Sequence, residues 1–232
     1  MKKTSSGREK LSPKALLFEA EAAYAESIFL SALGDQEAMI AAAEQCLKWL
    51  PTYAPGLLTM GSIEYQRGRE AEGLKLFKAL LALPDDTQDL CEIIDKAGDF
   101  LIDRHAYRDG LELYRAAAAK FPDAAVIHEG LGCCAGHEGC FDEALAASER
   151  SLQLEPENPV FVNDLGWTLV LAGRLAEAEA TLERAVAMDP SYKLAQGNLR
   201  YCRKKMAELS RVEGVAKPRR PVVKKRRRKG AG

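Results

Sequence analysis

Few residues in this chain suit catalysis or metal binding. Histidine is scarce, with only His105, His128 and His137 among 232 residues. No serine or cysteine is paired with a base in a pattern that would make it a nucleophile. No uncharged run approaches the roughly 20 apolar residues a membrane-crossing helix needs. The opening MKKTSSGREKLSPK is basic, but Glu19, Glu21 and Glu26 interrupt the stretch that follows, so it does not read as a secretory apolar region. The six cysteines are therefore expected to be reduced thiols in a cytoplasmic setting, or a nuclear one if the source is eukaryotic. Strand signals are nearly absent, which argues against a sheet-based fold.

Charge is abundant but unevenly placed. The formal net charge is −1, yet residues 1–199 hold 19 Lys and Arg against 32 Asp and Glu, and residues 200–232 hold 14 against 2. An acidic body carries a basic end.

The stretch CCAGHEGC, Cys133 to Cys140, is the densest group of possible metal ligands. Cys133, His137 and Cys140 are spaced i, i+4, i+7, with Glu129 on the same stripe. Structural zinc wants four ligands and usually draws them from two segments, so small side chains at variable positions are the expected reading; no metal or other cofactor is expected. GREAEGLK, Gly68 to Lys75, imitates a phosphate-binding loop, but Leu74 separates Gly73 from Lys75 and no strand precedes it.

A repeat organises everything between these features. Pro122, Pro156 and Pro190 stand 34 residues apart, and Leu131-Gly132, Gly139 and Ala144 recur as Leu165-Gly166, Gly173 and Ala178. Upstream the frame loosens. Met60-Gly61 and Ala97-Gly98 take the Leu-Gly place, Gly73 and Gly110 stand for Ala144, and Asp85 stands for a proline. Three extra residues fall near DDTQD, and in the first unit Glu26-Ser27 holds the Leu-Gly place. Each unit reads as two helices of about 13 residues around a short turn. A proline that cannot continue the second helix ends it. After Pro190 one more helix is expected, polar on its outer side as the cap of a stacked array should be.

In these positions the chain resembles the tetratricopeptide repeat family, over residues 12–212. Leu57, Ile94, His128 and Val162 stand where that family often has Trp. The resemblance implies an all-α solenoid of about five helix-turn-helix repeats plus a C-terminal capping helix. Residues 1–11 form a disordered arm and 213–232 a disordered basic tail in this reading. It also implies a non-enzymatic adaptor that binds a peptide or protein segment in a groove lined by the first helix of each repeat.

By alignment that groove presents Leu58, Ser62 and Tyr65, then Glu92, Asp95, Asp99 and Asp103, then Glu129, Cys133 and His137. The last full unit adds Val160, Asn163, Asp164, Trp167 and Leu171, and the cap adds Tyr201. Asp95, Asp99 and Asp103 lie on one helix face, either as a solvated stripe or as a site for a basic partner. Trp167 and Tyr201 hold equivalent places in adjacent units and form either an aromatic shelf or packing between units. No three consecutive first helices supply the Lys, Arg and Asn set with which chaperone-binding members of the family grip a C-terminal carboxylate.

The tail contains Lys217, Arg219, Arg220, Lys224, Lys225, Arg226, Arg227, Arg228 and Lys229. Such a run suits phosphates, anionic surfaces or the chain's own acidic groove. The alternative function is accordingly a nucleic-acid-associated protein whose tail contacts phosphates while the solenoid recruits partners.

Overall fold

The computed structural model describes residues 11–216, which contain eleven α-helices and no strand. They pair as hairpins: α1 (Pro13–Ala32) with α2 (Gln36–Trp49), α3 (Ala54–Gln66) with α4 (Glu70–Leu81), and α5 (Leu90–Asp103) with α6 (Tyr107–Lys120). Then come α7 (Ala125–His137) with α8 (Phe141–Leu154), α9 (Pro159–Leu171) with α10 (Leu175–Met188), and α11 (Lys193–Ala216) alone. Each hairpin packs on its sequence neighbours, and the first helices α3, α5, α7 and α9 also pack on one another. They form one continuous side of the stack, the face that a superhelix turns inward.

Local sequence sets the helix ends. The Ser12 hydroxyl accepts from the Ala15 amide at 3.2 Å, with Pro13 in the first turn, and Asp35 accepts from the Ala38 amide at 3.1 Å. Between the helices of four hairpins stands a glycine with φ between 76 and 79°: Gly34, Gly68, Gly139 and Gly173. In the third hairpin His105 takes that place with φ 57°, a left-handed conformation that disfavours a side chain. Gly68 of the phosphate-loop imitation is therefore a turn residue. Gly73 in the same stretch lies at the helix crossing, where a Cβ would come 2.7 Å from the Gly61 carbonyl oxygen.

The second helices answer the Leu-Gly positions with a side chain of their own. Gly61 receives the ring of Phe77, Gly98 that of Tyr114, Gly132 the hydroxyl of Ser148 and Gly166 the side chain of Leu182. A Cβ on any of these glycines would come 2.2 to 2.7 Å from atoms of the partner just named, so the hairpins close this tightly only with glycine there. Phe77, Tyr114 and Leu182 are fully buried.

Side chains also tie one unit to the next. Arg150 and Arg184, one period apart, reach back to the carbonyls of Pro122 and Pro156, and His128 and Gln196 bond the carbonyls of Pro122 and Pro190. The irregular connection at residues 82–89, which holds the three extra residues, is secured by Lys120, whose ammonium reaches the Leu83 carbonyl at 2.9 Å and the Asp85 carboxylate.

The two ends differ. Cap helix α11 buries Ala195, Leu199 and Cys202 and turns Arg200, Arg203, Lys204 and Lys205 outward. It continues to Ala216, past the boundary expected at residue 212; Pro218 is the first residue beyond it that would stop a helix. At the other end Phe18 and Phe29 of α1 and Leu33 at its C-cap are each more than half accessible.

Candidate functional site

The N-terminal half of the concave face is apolar. A cavity of about 630 Å³ opens between α1, α2, α3 and α5, with Ile28, Met39, Leu58 and Phe100 as its apolar walls and Ser62 and Lys96 beside them. Leu58 thus borders this cavity. Tyr65 does not. The start of α6 covers the end of α3, so the Tyr65 hydroxyl donates to Asp109 at 2.8 Å and its ring meets Phe100 edge-on at 5.8 Å, leaving the residue 8% exposed. It is a packing residue, a correction to its place in the expected groove.

Toward the middle, the acidic stripe on α5 splits into three environments. Glu92 is exposed and paired with Lys96 at 2.7 Å. Asp103 at the other end is exposed. Between them, Asp95 and Asp99 both accept from the Tyr114 hydroxyl, at 3.1 and 3.4 Å. Tyr114 belongs to α6, and its ring passes between Gly98 and Gly130, where a Cβ would lie 2.2 and 2.1 Å from ring carbon atoms. The two glycines form a slot through which a second-helix tyrosine delivers its hydroxyl to the concave side. Sequence reasoning missed this donor; the available signal was Gly130, which precedes the repeat's own Leu-Gly.

The C-terminal half is built by α7, α9 and α11. Glu129, Cys133, Asp164, Trp167, Thr168 and Leu171 enclose a small cavity of about 40 Å³. Asn198 on α11 donates to the Asn163 side-chain oxygen at 2.9 Å, and Asn163 donates to Asp164 Oδ1 at 2.9 Å. This relay fixes the Asp164 carboxylate and leaves Oδ2 buried with no hydrogen-bond partner. Asn163 is 1% exposed, so it positions Asp164 and does not face the groove, a second correction. Trp167 and Tyr201 are in contact, their ring centroids 5.5 Å apart and tilted by 58°, and Tyr201 remains 43% exposed.

Gathering carboxylates at a partly desolvated surface disfavours their charged forms. Burial, reinforced by Asp164, Asp99 and Asp95, raises Glu129 to about 8. Burial and the Asp99 charge raise Asp95 to about 6 despite the Tyr114 hydrogen bond. Burial likewise raises Asp164 to about 6 against the pull of Asn163, and Asp99 is raised too. The Cys133 thiol, buried beside these anions, is pushed up to about 12, so it is a neutral wall rather than a nucleophile.

The residues of CCAGHEGC are dispersed. Cys133 lines the small cavity, Cys134 is buried against Gly110, His137 stacks on Tyr107 with centroids 3.9 Å apart, and Cys140 opens α8. Among the described residues no three His, Cys, Asp or Glu side chains converge as a metal site. No helix among them is long and apolar enough to cross a membrane. The basic residues from Lys217 to Lys229 lie outside the described residues.

Two family models, both described as tetratricopeptide repeat, match residues 96–159 and 137–199. Residues 96–199 are tetratricopeptide repeats. The TPR repeat-containing thioredoxin TTL4 of Arabidopsis thaliana is 36% identical over 83 residues, which are 36% of this chain and 12% of that much longer protein. Among solved structures, YrrB, described as a TPR protein with an unusual peptide-binding site, superposes with a TM-score of 0.54 at 19% identity, over 77% of this chain and 90% of YrrB. MamA (residues 41-end) from Desulfovibrio magneticus RS-1 superposes with a TM-score of 0.56 at 17% identity, over 75% and 97% of the two chains. At such identities the likeness concerns the fold. A tetratricopeptide solenoid is in general a scaffold for protein–protein interaction, and proteins of this kind are generally non-enzymatic.

Proposed function

We propose that the protein is an adaptor whose concave face holds an extended segment of a partner protein, with the C-terminal half of that face selecting basic side chains. One observation carries this reading. Asp95, Asp99, Glu129 and Asp164 are gathered on neighbouring helices, and among the described residues no Lys or Arg forms a salt bridge with any of them. Their internal hydrogen bonds come from Tyr114 and Asn163, both neutral. Uncompensated negative charge at a partly desolvated surface costs folding free energy that a cationic partner offsets on binding. The apolar cavity beside Leu58 offers the same segment a place for a hydrophobic side chain. The peptide-binding site named for YrrB is consistent with this use of the fold.

The test is a calorimetric titration with an extended peptide combining apolar and basic residues, beside a charge-reversed analogue. Binding of the basic peptide alone is expected, weakened by salt and by Asp95→Asn/Asp99→Asn. Equal affinity for both peptides, or indifference to the double substitution, would refute the reading.

A further inference from the structure

The small cavity between α7 and α9 is more specific than a negative surface. Its wall carries Glu129 from one helix and Asp164 from the next, and the indole of Trp167 and the side chain of Leu171 line the same cavity. Asp164 Oδ2 is buried there without a partner while Oδ1 is held by the relay from Asn198 through Asn163. A buried carboxylate oxygen left unpaired costs stability, yet an entire hydrogen-bond relay is spent on orienting it. The other anions nearby, Asp95 and Asp99, are served by Tyr114. Such a site lacks one donor, and the carboxylates gathered around it favour a cationic one over a neutral one.

Size and geometry narrow the class. A cavity of about 40 Å³ admits a group near the size of water, which needs about 10–15 Å³, and little beyond it. No three acidic or sulfur-bearing side chains among the described residues come close enough to hold a metal ion, whereas an ammonium bonds oxygen at longer, hydrogen-bond distance. A guanidinium is a wider planar fork and an ammonium a compact charge on a flexible apolar stem. Trp167 in the wall offers an apolar surface to that stem.

We infer that this cavity is a lysine pocket: it takes the ammonium of one lysine side chain of a bound peptide, against Glu129 and Asp164, with the stem on Trp167 and Leu171. The inference rests on the reading of the concave face as a basic-peptide groove but goes further, since that reading needs only diffuse charge. Neutralising the pocket removes a hydrogen-bonded charge pair, while neutralising Asp95 removes a longer-range attraction.

The chain has two tryptophans, Trp49 and Trp167, so Trp49→Phe leaves Trp167 as a fluorescent reporter inside the pocket. Three probes of equal length are titrated into this variant: a lysine peptide, its arginine counterpart and its acetyl-lysine counterpart. The lysine peptide is expected to shift Trp167 emission and to bind about tenfold more tightly than the arginine peptide. Glu129→Gln and Asp164→Asn should each weaken it about tenfold, and Asp95→Asn only severalfold. Circular dichroism checks that these near-isosteric variants remain folded. n-Butylammonium at high concentration should give the same emission shift, abolished by Glu129→Gln. If lysine and arginine peptides bind alike and the pocket variants lose no more than Asp95→Asn, the lysine pocket is wrong while the basic groove stands. If n-butylammonium shifts Trp167 but no peptide binds, the pocket survives and the peptide groove fails. If neither probe has an effect, both fail.

Discussion

The two halves of the concave face are made from the same repeat and have opposite characters. Between α1 and α5 the inner face carries Ile28, Leu58 and Phe100 around an open apolar cavity. Between α5 and α11 it carries Asp95, Asp99, Glu129, Asp164 and two aromatic rings, with a much smaller cavity between Glu129 and Asp164. Helix α5 is the seam, since Lys96 and Phe100 border the first region while Asp95 and Asp99 accept from Tyr114 in the second. The backbone frame fixes where side chains project and leaves their chemistry free. A scaffold that cannot change its curvature much from unit to unit can still be specific by alternating what it displays.

The comparison breaks most severely at Tyr114, which is buried like its counterpart Phe77 but ends in a hydroxyl that the acidic half uses. Tyr114→Ala should destabilise by about 3–5 kcal/mol through lost burial and the cavity left between Gly98 and Gly130, measured by urea unfolding. Tyr114→Phe keeps the ring and should cost only about 1–3 kcal/mol, the loss of a donor to charged acceptors. If the phenylalanine variant were as unstable as the alanine variant, the hydroxyl would matter more than the slot.

The next largest effect separates the halves by pH. The carboxyls of the acidic half have folded values above their unfolded ones, so the folded state holds their protons more tightly. Their contribution is fully present below the unfolded values near 4 and is lost as pH rises through about 6 for Asp95 and Asp164 and about 8 for Glu129. Unfolding free energy should therefore fall between pH 5 and 8 by on the order of 2–4 kcal/mol. Glu129→Gln should flatten much of that slope and raise stability at pH 8, whereas Leu58→Ala should leave the slope unchanged. A slope of the opposite sign would mean the acids are better compensated than their surroundings indicate.

How much of this could be read from residues alone follows the same division. The period was legible because prolines, Leu-Gly pairs and turn glycines sit where backbone geometry demands them, and such demands do not depend on distant neighbours. The α5 stripe and the Trp167–Tyr201 contact were legible because repeat spacing alone places them on one face. What escaped depends on partners in other units. Tyr65 is captured by Asp109, 44 residues away. Asn163 is claimed by Asn198 on the cap. Tyr114 enters the site from the opposite helix layer, through a slot whose second glycine lies one unit on. Alignment assigns positions to faces; it cannot say which face residues are already satisfied.

A smaller effect tests the apolar half. Leu58 is half-buried and borders the open cavity, so Leu58→Ala should cost only about 1 kcal/mol, below the range for fully buried leucines. It should weaken a peptide carrying both an apolar and a basic residue, yet leave a purely basic peptide unaffected. Equal weakening of both would mean the halves are not separate sites.

The smallest effect lies at the turn that follows the seam helix. His105 occupies the turn position that Gly34, Gly68, Gly139 and Gly173 hold elsewhere, with φ 57°. A side chain there costs about 1 kcal/mol relative to glycine. Two opposing terms reduce the gain expected from His105→Gly. Glycine raises the entropy of the unfolded chain, and the substitution removes the 2.9 Å hydrogen bond between His105 Nδ1 and the Tyr107 hydroxyl. The net should be within about 0.5 kcal/mol of zero, with basic-peptide affinity unchanged because the turn lies beyond the end of α5. If stability instead fell by about 2 kcal/mol or more, a value that demands a specific lost contact, the stack of His105, Tyr107 and His137 would have to be holding the third and fourth units in register. The difference between the two halves of the groove would then depend on that turn as well as on the side chains the helices display.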